Sequence, residues 1–245
     1  MKISAVSYLN TRPFLYGLNR MKTADMDISV DIPSECARKL IEGEVDLGLI
    51  PVAVIPLVKN AQLIPGYCIG ADGKVDSVKL YSHVPLHEIK NVMLDYQSRT
   101  SVMLAQVLAK EFWKISPKWS KATTGFEEHI SGANAGVVIG DRTFTMNGKF
   151  PFEYDLAEEW KKFTDLPFVF AAWVSNKKLN DEEIAGIQTA LEYGLQHVKN
   201  VIEEETKKYP GFDVENYLCK SLNFKLDERM ERGMRLFLEK VSKLR

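Results

Sequence analysis

Apolar and polar positions along the chain fall into two alternating patterns. Short continuous apolar runs (residues 3–9, 45–50, 63–69, 91–95, 136–139 and 167–174) read as strands. Between them lie segments whose apolar residues recur at helical spacing. One such segment follows Ser98-Arg99-Thr100-Ser101, with Val102, Ala105, Leu108, Ala109 and Phe112 on one face. Shorter helices are predicted over 14–19 and 34–41, the second with Ser34 as its cap and Gly43 as its stop. Pro51 is placed at the first position of a further helix, and residues 155–163 read as another helix. Residues 27–32 and 77–82 are extended. The last quarter reads as all helix, with one stripe through Ile184, Ile187, Leu191, Leu195, Val198 and Ile202 and a second through Met230, Met234, Phe237 and Val241.

Strand–helix alternation predicts an α/β protein with parallel sheets and crossover helices. The rhythm restarts near residue 84, with no linker or low-complexity tract there. The expectation is therefore two lobes around a ligand cleft, with residues 84–174 inserted into a lobe made from 1–83 and 175–245. Extended crossings at 77–82 and 168–174 would connect them.

Composition narrows the function. Of 245 residues, 45% are apolar and 27% charged, and 32 basic residues stand against 33 acidic ones. The net charge of −1 carries no basic footprint for nucleic acid. The opening residues do not form a signal peptide, and no run approaches a membrane span. Cys36, Cys68 and Cys219 are far apart and read as reduced thiols. A cytoplasmic protein with neither nucleic-acid nor membrane partner is expected. Dinucleotide and phosphate-binding glycine loops and the serine-hydrolase elbow are absent. His83 and His87 are separated by Pro85, which disfavours a helical metal pair, so no metal is expected there.

Three polar clusters follow strands, where open α/β sheets bind ligands. Tyr8, Asn10, Thr11 and Arg12 precede one helix; Asn10 or Thr11 can cap it, and the same groups also make an anion site. Ser98, Arg99, Thr100 and Ser101 precede another, with more hydroxyls than one cap needs. Asp72-Gly73-Lys74-Val75-Asp76-Ser77 lies at the first crossing. Two helix ends facing each other across a cleft suit a small dianion, each contributing roughly 0.3–1 kcal/mol.

Six segments, taken in order, carry a family resemblance: Ser7-Tyr8-Leu9-Asn10-Thr11-x-Pro13, Gly43-x-Val45-Asp46-Leu47-Gly48-Leu49-Ile50-Pro51, Gly70-x-Asp72-Gly73-x-Val75-x-Ser77, Ser98-Arg99-Thr100-Ser101-Val102, Ile139-Gly140-Asp141 and Leu166-Pro167-Phe168-Val169-Phe170-Ala171-x-Trp173. Over residues 3–175 the chain resembles the chorismate dehydratases of the futalosine route to menaquinone. The resemblance implies a type II periplasmic-binding-protein-like fold, two α/β lobes around a cleft. It also implies cofactor-independent dehydration of chorismate, a dianion, to 3-[(1-carboxyvinyl)oxy]benzoate. By the same resemblance Asn10 and Ser77 are the catalytic amide and hydroxyl, and the base is a side chain or the substrate's own enolpyruvyl carboxylate. Tyr8, Thr11, Arg12, Ser98, Arg99, Thr100 and Ser101 are candidates for binding substrate. Asp141 either orients donors across the cleft or caps a turn. The alternatives are the sister 1,4-dihydroxy-6-naphthoate synthase and a receptor that binds a small anion unchanged.

Overall fold

The computed structural model describes residues 1–244. The elements are β1 Lys2–Val6, α1 Arg12–Arg20, β2 Asp27–Asp31, α2 Pro33–Ile41, β3 Leu47–Pro51, β4 Gln62–Ala71, β5 Val78–Ser82, β6 Asn91–Leu94, α3 Thr100–Val107, β7 Lys118–Lys121, β8 Asn134–Ile139, β9 Phe152–Asp155, α4 Leu156–Thr164, β10 Phe168–Ser175, α5 Asp181–Gln196, α6 Val198–Glu205, α7 Val214–Asn216, β11 Asn223–Leu226 and α8 Glu228–Ser242. They build two sheets. The first has six strands in the order β11-β4-β10-β3-β1-β2, and the second has five, β7-β6-β8-β5-β9. This is the expected two-lobe α/β architecture.

Both sheets are mixed rather than parallel. In the first, β1 runs parallel to β2 and β3, while β10 is antiparallel to β3 and β4. In the second, β6 is parallel to β7 and β8, and β5 is antiparallel to β8 and β9. The parallel strands β1 and β6 thus end at the turns that carry two of the polar clusters, and β8 ends at Gly140-Asp141. That is where an open α/β sheet places a ligand.

Two strands lie in the opposite sheet from the one expected. Val78–Ser82 belongs to the second sheet and Phe168–Ser175 to the first. The chain therefore crosses between sheets before β5 and before β10, not at 83 and 174. Every residue of both strands is buried, so their apolar pattern alone does not say which sheet they complete. The last quarter is not all helical, since β11 pairs with β4 at the sheet edge. Pro51 ends β3 instead of opening an α-helix, and a 3-10 turn over Val52–Leu57 follows. Ser34 caps nothing; Ile32 precedes α2, with Pro33 in the first turn.

Apolar burial follows the predicted stripes. Ile187 and Leu191 of α5, and Met230, Met234, Phe237 and Val241 of α8, are buried. Helices α1 and α5 approach backbone to backbone. A Cβ on Gly17 would lie 1.8 Å from the Ala190 carbonyl oxygen, and one on Gly194 would lie 1.9 Å from that of Pro13, so only glycine permits this contact. Cys36, Cys68 and Cys219 are all free thiols, the first two buried and Cys219 exposed. Among the described residues no helix is long and apolar enough to cross a membrane.

Candidate functional site

A cleft between the two sheets encloses about 540 Å3, including its open mouth. Tyr8, Asn10 and Thr11 enter from the turn after β1. Ser98, Thr100 and Ser101 enter from the start of α3, and Ser77 comes from the crossing. Apolar walls are supplied by β3, β4 and β10 through Leu49, Ile69 and Phe170. Seven of the ten candidate residues from the sequence therefore line one cavity.

The turn after β1 is a 3-10 turn, Leu9–Thr11, running into α1. The Thr11 hydroxyl donates to Asn10 Oδ1 at 3.0 Å, which leaves the Asn10 NH2 free to donate elsewhere. At the other wall, the Ser101 N–H donates to Ser98 Oγ at 3.0 Å, satisfying one free N–H of the α3 start. Thr100 Oγ1 accepts the Ala53 N–H at 3.2 Å, joining the second lobe to the first. Ser101 has no such structural duty. Ser77 is 1% exposed, and the Tyr217 hydroxyl lies 2.8 Å from its Oγ.

Three candidates lie outside the cavity lining. Arg99, a candidate for binding substrate, is exposed and lines a different depression, between α2 and α3. Its neighbours Ser98 and Thr100 point into the cleft, so alternation around the helix start turns Arg99 away. Arg12 pairs instead with Glu205 of α6, Nε to Oε1 3.7 Å. Asp141 links the lobes: it accepts the Leu9 N–H at 3.1 and 3.2 Å and the Tyr209 hydroxyl at 2.6 Å. Burial holds its carboxyl above the ordinary range.

Tyr8 is the only titratable side chain in the lining. Its hydroxyl donates to Gln97, and its ring lies against Gly140. Gly140 has φ +70°, and a Cβ there would sit 2.6–2.8 Å from the Tyr8 ring. Burial first, then the nearby Asp95, pushes the Tyr8 phenol far above its ordinary value, so it stays protonated. Arg142, beyond the lining, is engaged by Asp95 and Glu127. His83 packs on Phe150 at 5.2 Å and His87 is exposed. Among the described residues no three His, Cys, Asp or Glu side chains gather as a metal site. The walls thus offer hydroxyls, an amide and backbone N–H groups, and neither an imidazole nor a carboxylate.

Sequence reasoning missed the aromatic cluster behind the cleft. Phe144, after β8, stacks on Phe212 at 3.6 Å and meets Tyr209 and Tyr217 edge-on at 5.8 and 5.2 Å. The three partners lie in the segment after α6, which carries no motif; its density in Tyr and Phe was the available signal.

Solved structures of similar shape share the two-lobe architecture. One is a protein of Archaeoglobus fulgidus, 12% identical, TM-score 0.78, covering 99% of this chain and 97% of that one. Another is a Candida albicans protein described as having the generic periplasmic binding protein fold, 13% identical, TM-score 0.60, covering 100% and 89%. The Escherichia coli periplasmic aliphatic sulphonate binding protein is 12% identical, TM-score 0.62, covering 100% and 92%. At these identities the likeness shows a periplasmic-binding-protein-like fold. In sequence, the chain is 25% identical over 260 residues to a chorismate dehydratase of Thermus thermophilus, covering 93% of this chain and 95% of that one. The family model described as menaquinone biosynthesis matches residues 1–243, and the chain belongs to that family.

Proposed function

We propose that the protein is a chorismate dehydratase, a lyase that removes water from chorismate to give 3-[(1-carboxyvinyl)oxy]benzoate on the futalosine route, without a cofactor. The observation that carries this reading is the neutral cleft. Its lining offers Asn10, Ser77 and Ser101 as donors, and its single titratable group is a protonated tyrosine. A reaction that needs a strong side-chain base does not fit such walls. Chorismate dehydration does, because the ring carboxylate and the conjugated double bond acidify the C3–H. Loss of that proton and of the C4 hydroxyl, together one water, leaves an aromatic ring.

Asn10 and Ser77 then orient the substrate and stabilise charge that develops as the ring aromatises. The start of α3, with Ser98, Thr100 and Ser101, meets one carboxylate through hydroxyls and N–H groups. The enolpyruvyl carboxylate of the substrate takes the C3 proton, since no side chain in the lining is placed to do so. The Thermus thermophilus relative supports the substrate assignment. Incubation with chorismate, followed by absorbance and mass, should give a benzoate lighter by one water. Chorismate recovered unchanged at high protein concentration would overturn the reading and favour an anion receptor or the sister naphthoate synthase.

A further inference from the structure

Tyr217 opens the turn after α7 and is 2% exposed. It does not line the cleft, yet its hydroxyl sits 2.8 Å from Ser77 Oγ. The phenol O–H is the more acidic of the two hydroxyls and donates to Ser77 Oγ. The Ser77 proton then has no protein acceptor among the described residues, and Ser77 lines the cleft.

We infer that Tyr217 is a positioning residue. By occupying Ser77 Oγ as an acceptor, its hydroxyl turns the Ser77 O–H into the cleft as a fixed donor to the substrate. The ring is clamped for this task. Phe144, after the second-lobe strand β8, meets it edge-on at 5.2 Å, and Phe212 at 5.5 Å. A free serine hydroxyl rotates among several directions; a preorganised one needs no reorganisation at the moment of reaction.

The inference rests on the dehydratase reading, and the test separates the two. Wild-type turnover of chorismate is measured first, and its absence counts against the function alone. Tyr217→Phe keeps the ring and removes only the hydroxyl; kcat should fall about ten- to a hundredfold with KM nearly unchanged, less than the 10²–10³ for loss of a whole oxyanion donor. In a Ser77→Ala background the same change should cost nothing further, because Tyr217 acts through Ser77. Losses that multiply, as a general structural role gives, would overturn the inference, and so would an unchanged kcat. A stability comparison needs neither substrate nor a folded Tyr217→Phe single variant. Ser77→Ala leaves a buried hydroxyl without an acceptor, so Ser77→Ala/Tyr217→Phe should melt at or above Ser77→Ala. A lower melting point would overturn the hydrogen-bond chain.

Discussion

Replacing Asp141 by alanine tests whether the lobes are joined by defined polar contacts. The carboxylate takes the Leu9 N–H with both oxygens, at 3.1 and 3.2 Å, and the Tyr209 hydroxyl at 2.6 Å. Leu9 is fully buried, so its N–H loses its partner with no water at hand, a cost of about 1–3 kcal/mol. Tyr209 is half-buried, and its hydroxyl can turn to solvent, for about 0.5–1.5 kcal/mol. Burial already disfavours the Asp141 charge, and removing that charge offsets part of the loss. The expected destabilisation is therefore about 2 kcal/mol, read as a shift in the urea midpoint at constant slope. Asp141→Asn keeps one acceptor oxygen and should lose about half as much. Leu9 adjoins Asn10, so a loosened turn should also lower kcat/KM for chorismate by about tenfold or more, given that a 1 Å misplacement can cost about 10². A shift below about 0.5 kcal/mol in the alanine variant, or identical shifts in the two, would refute this account.

Asn10→Ala and Ser77→Ala should each lower kcat by about 10²–10³; near wild-type turnover in both would remove their assigned roles. Arg99→Ala should leave the KM for chorismate unchanged, because its exposed side chain lies outside the cleft; a KM raised tenfold would restore it to substrate binding. Gly140→Ala puts a Cβ 2.6–2.8 Å from the Tyr8 ring at φ +70°, so the melting temperature and kcat/KM should both fall, the strain alone being about 1–2 kcal/mol; a variant that melts like wild type would show that Tyr8 yields freely. Asp155 is pushed up to about 6 by burial, despite accepting four backbone N–H groups that favour its charge. Between its ordinary 3.8 and about 6 the folded state binds a proton that the unfolded state does not, so stability should rise as pH falls from 7 to 4. Asp95 and Asp141 are raised in the same sense, so Asp155→Asn should flatten the slope without abolishing it; an unchanged urea-midpoint slope would refute the assignment.

The parts of the site that were legible in the sequence are those set by local turn chemistry. Tyr8, Asn10 and Thr11 follow a strand and precede a helix, as do Ser98, Thr100 and Ser101, and strand ends in α/β folds converge on a cleft. Side-chain direction at a helix start is another matter. Arg99 sits between two cleft-facing residues and points away, and Arg12 turns to Glu205 because helix α6 packs beside it. Neither partner is visible from the local pattern. The same applies to Tyr209 and Tyr217, whose contacts with Asp141 and Ser77 cross from the end of the chain to the middle. In the fold, β5 and β10 read as strands from the sequence but their sheets do not, since uniform burial marks a central strand without marking its sheet. Strand β11 escaped because it is only Asn223–Leu226 between two helical stripes.

The displaced arginine bears on the chemistry. With Arg99 outside and Arg12 and Arg142 engaged by Glu205, Asp95 and Glu127, no cation among the described residues lines the cleft. A guanidinium clamped on the substrate's enolpyruvyl carboxylate would hold that group in its charged form and lower its basicity. Neutral hydroxyl and amide donors hold a carboxylate more weakly, and the apolar wall of Leu49, Ile69 and Phe170 would desolvate one bound against it. Desolvation raises the proton affinity of a carboxylate, which is what a substrate acting as its own base requires. A binding cleft built for tight capture of a dianion would place arginine there; one built to let the dianion deprotonate itself gains by keeping arginine out.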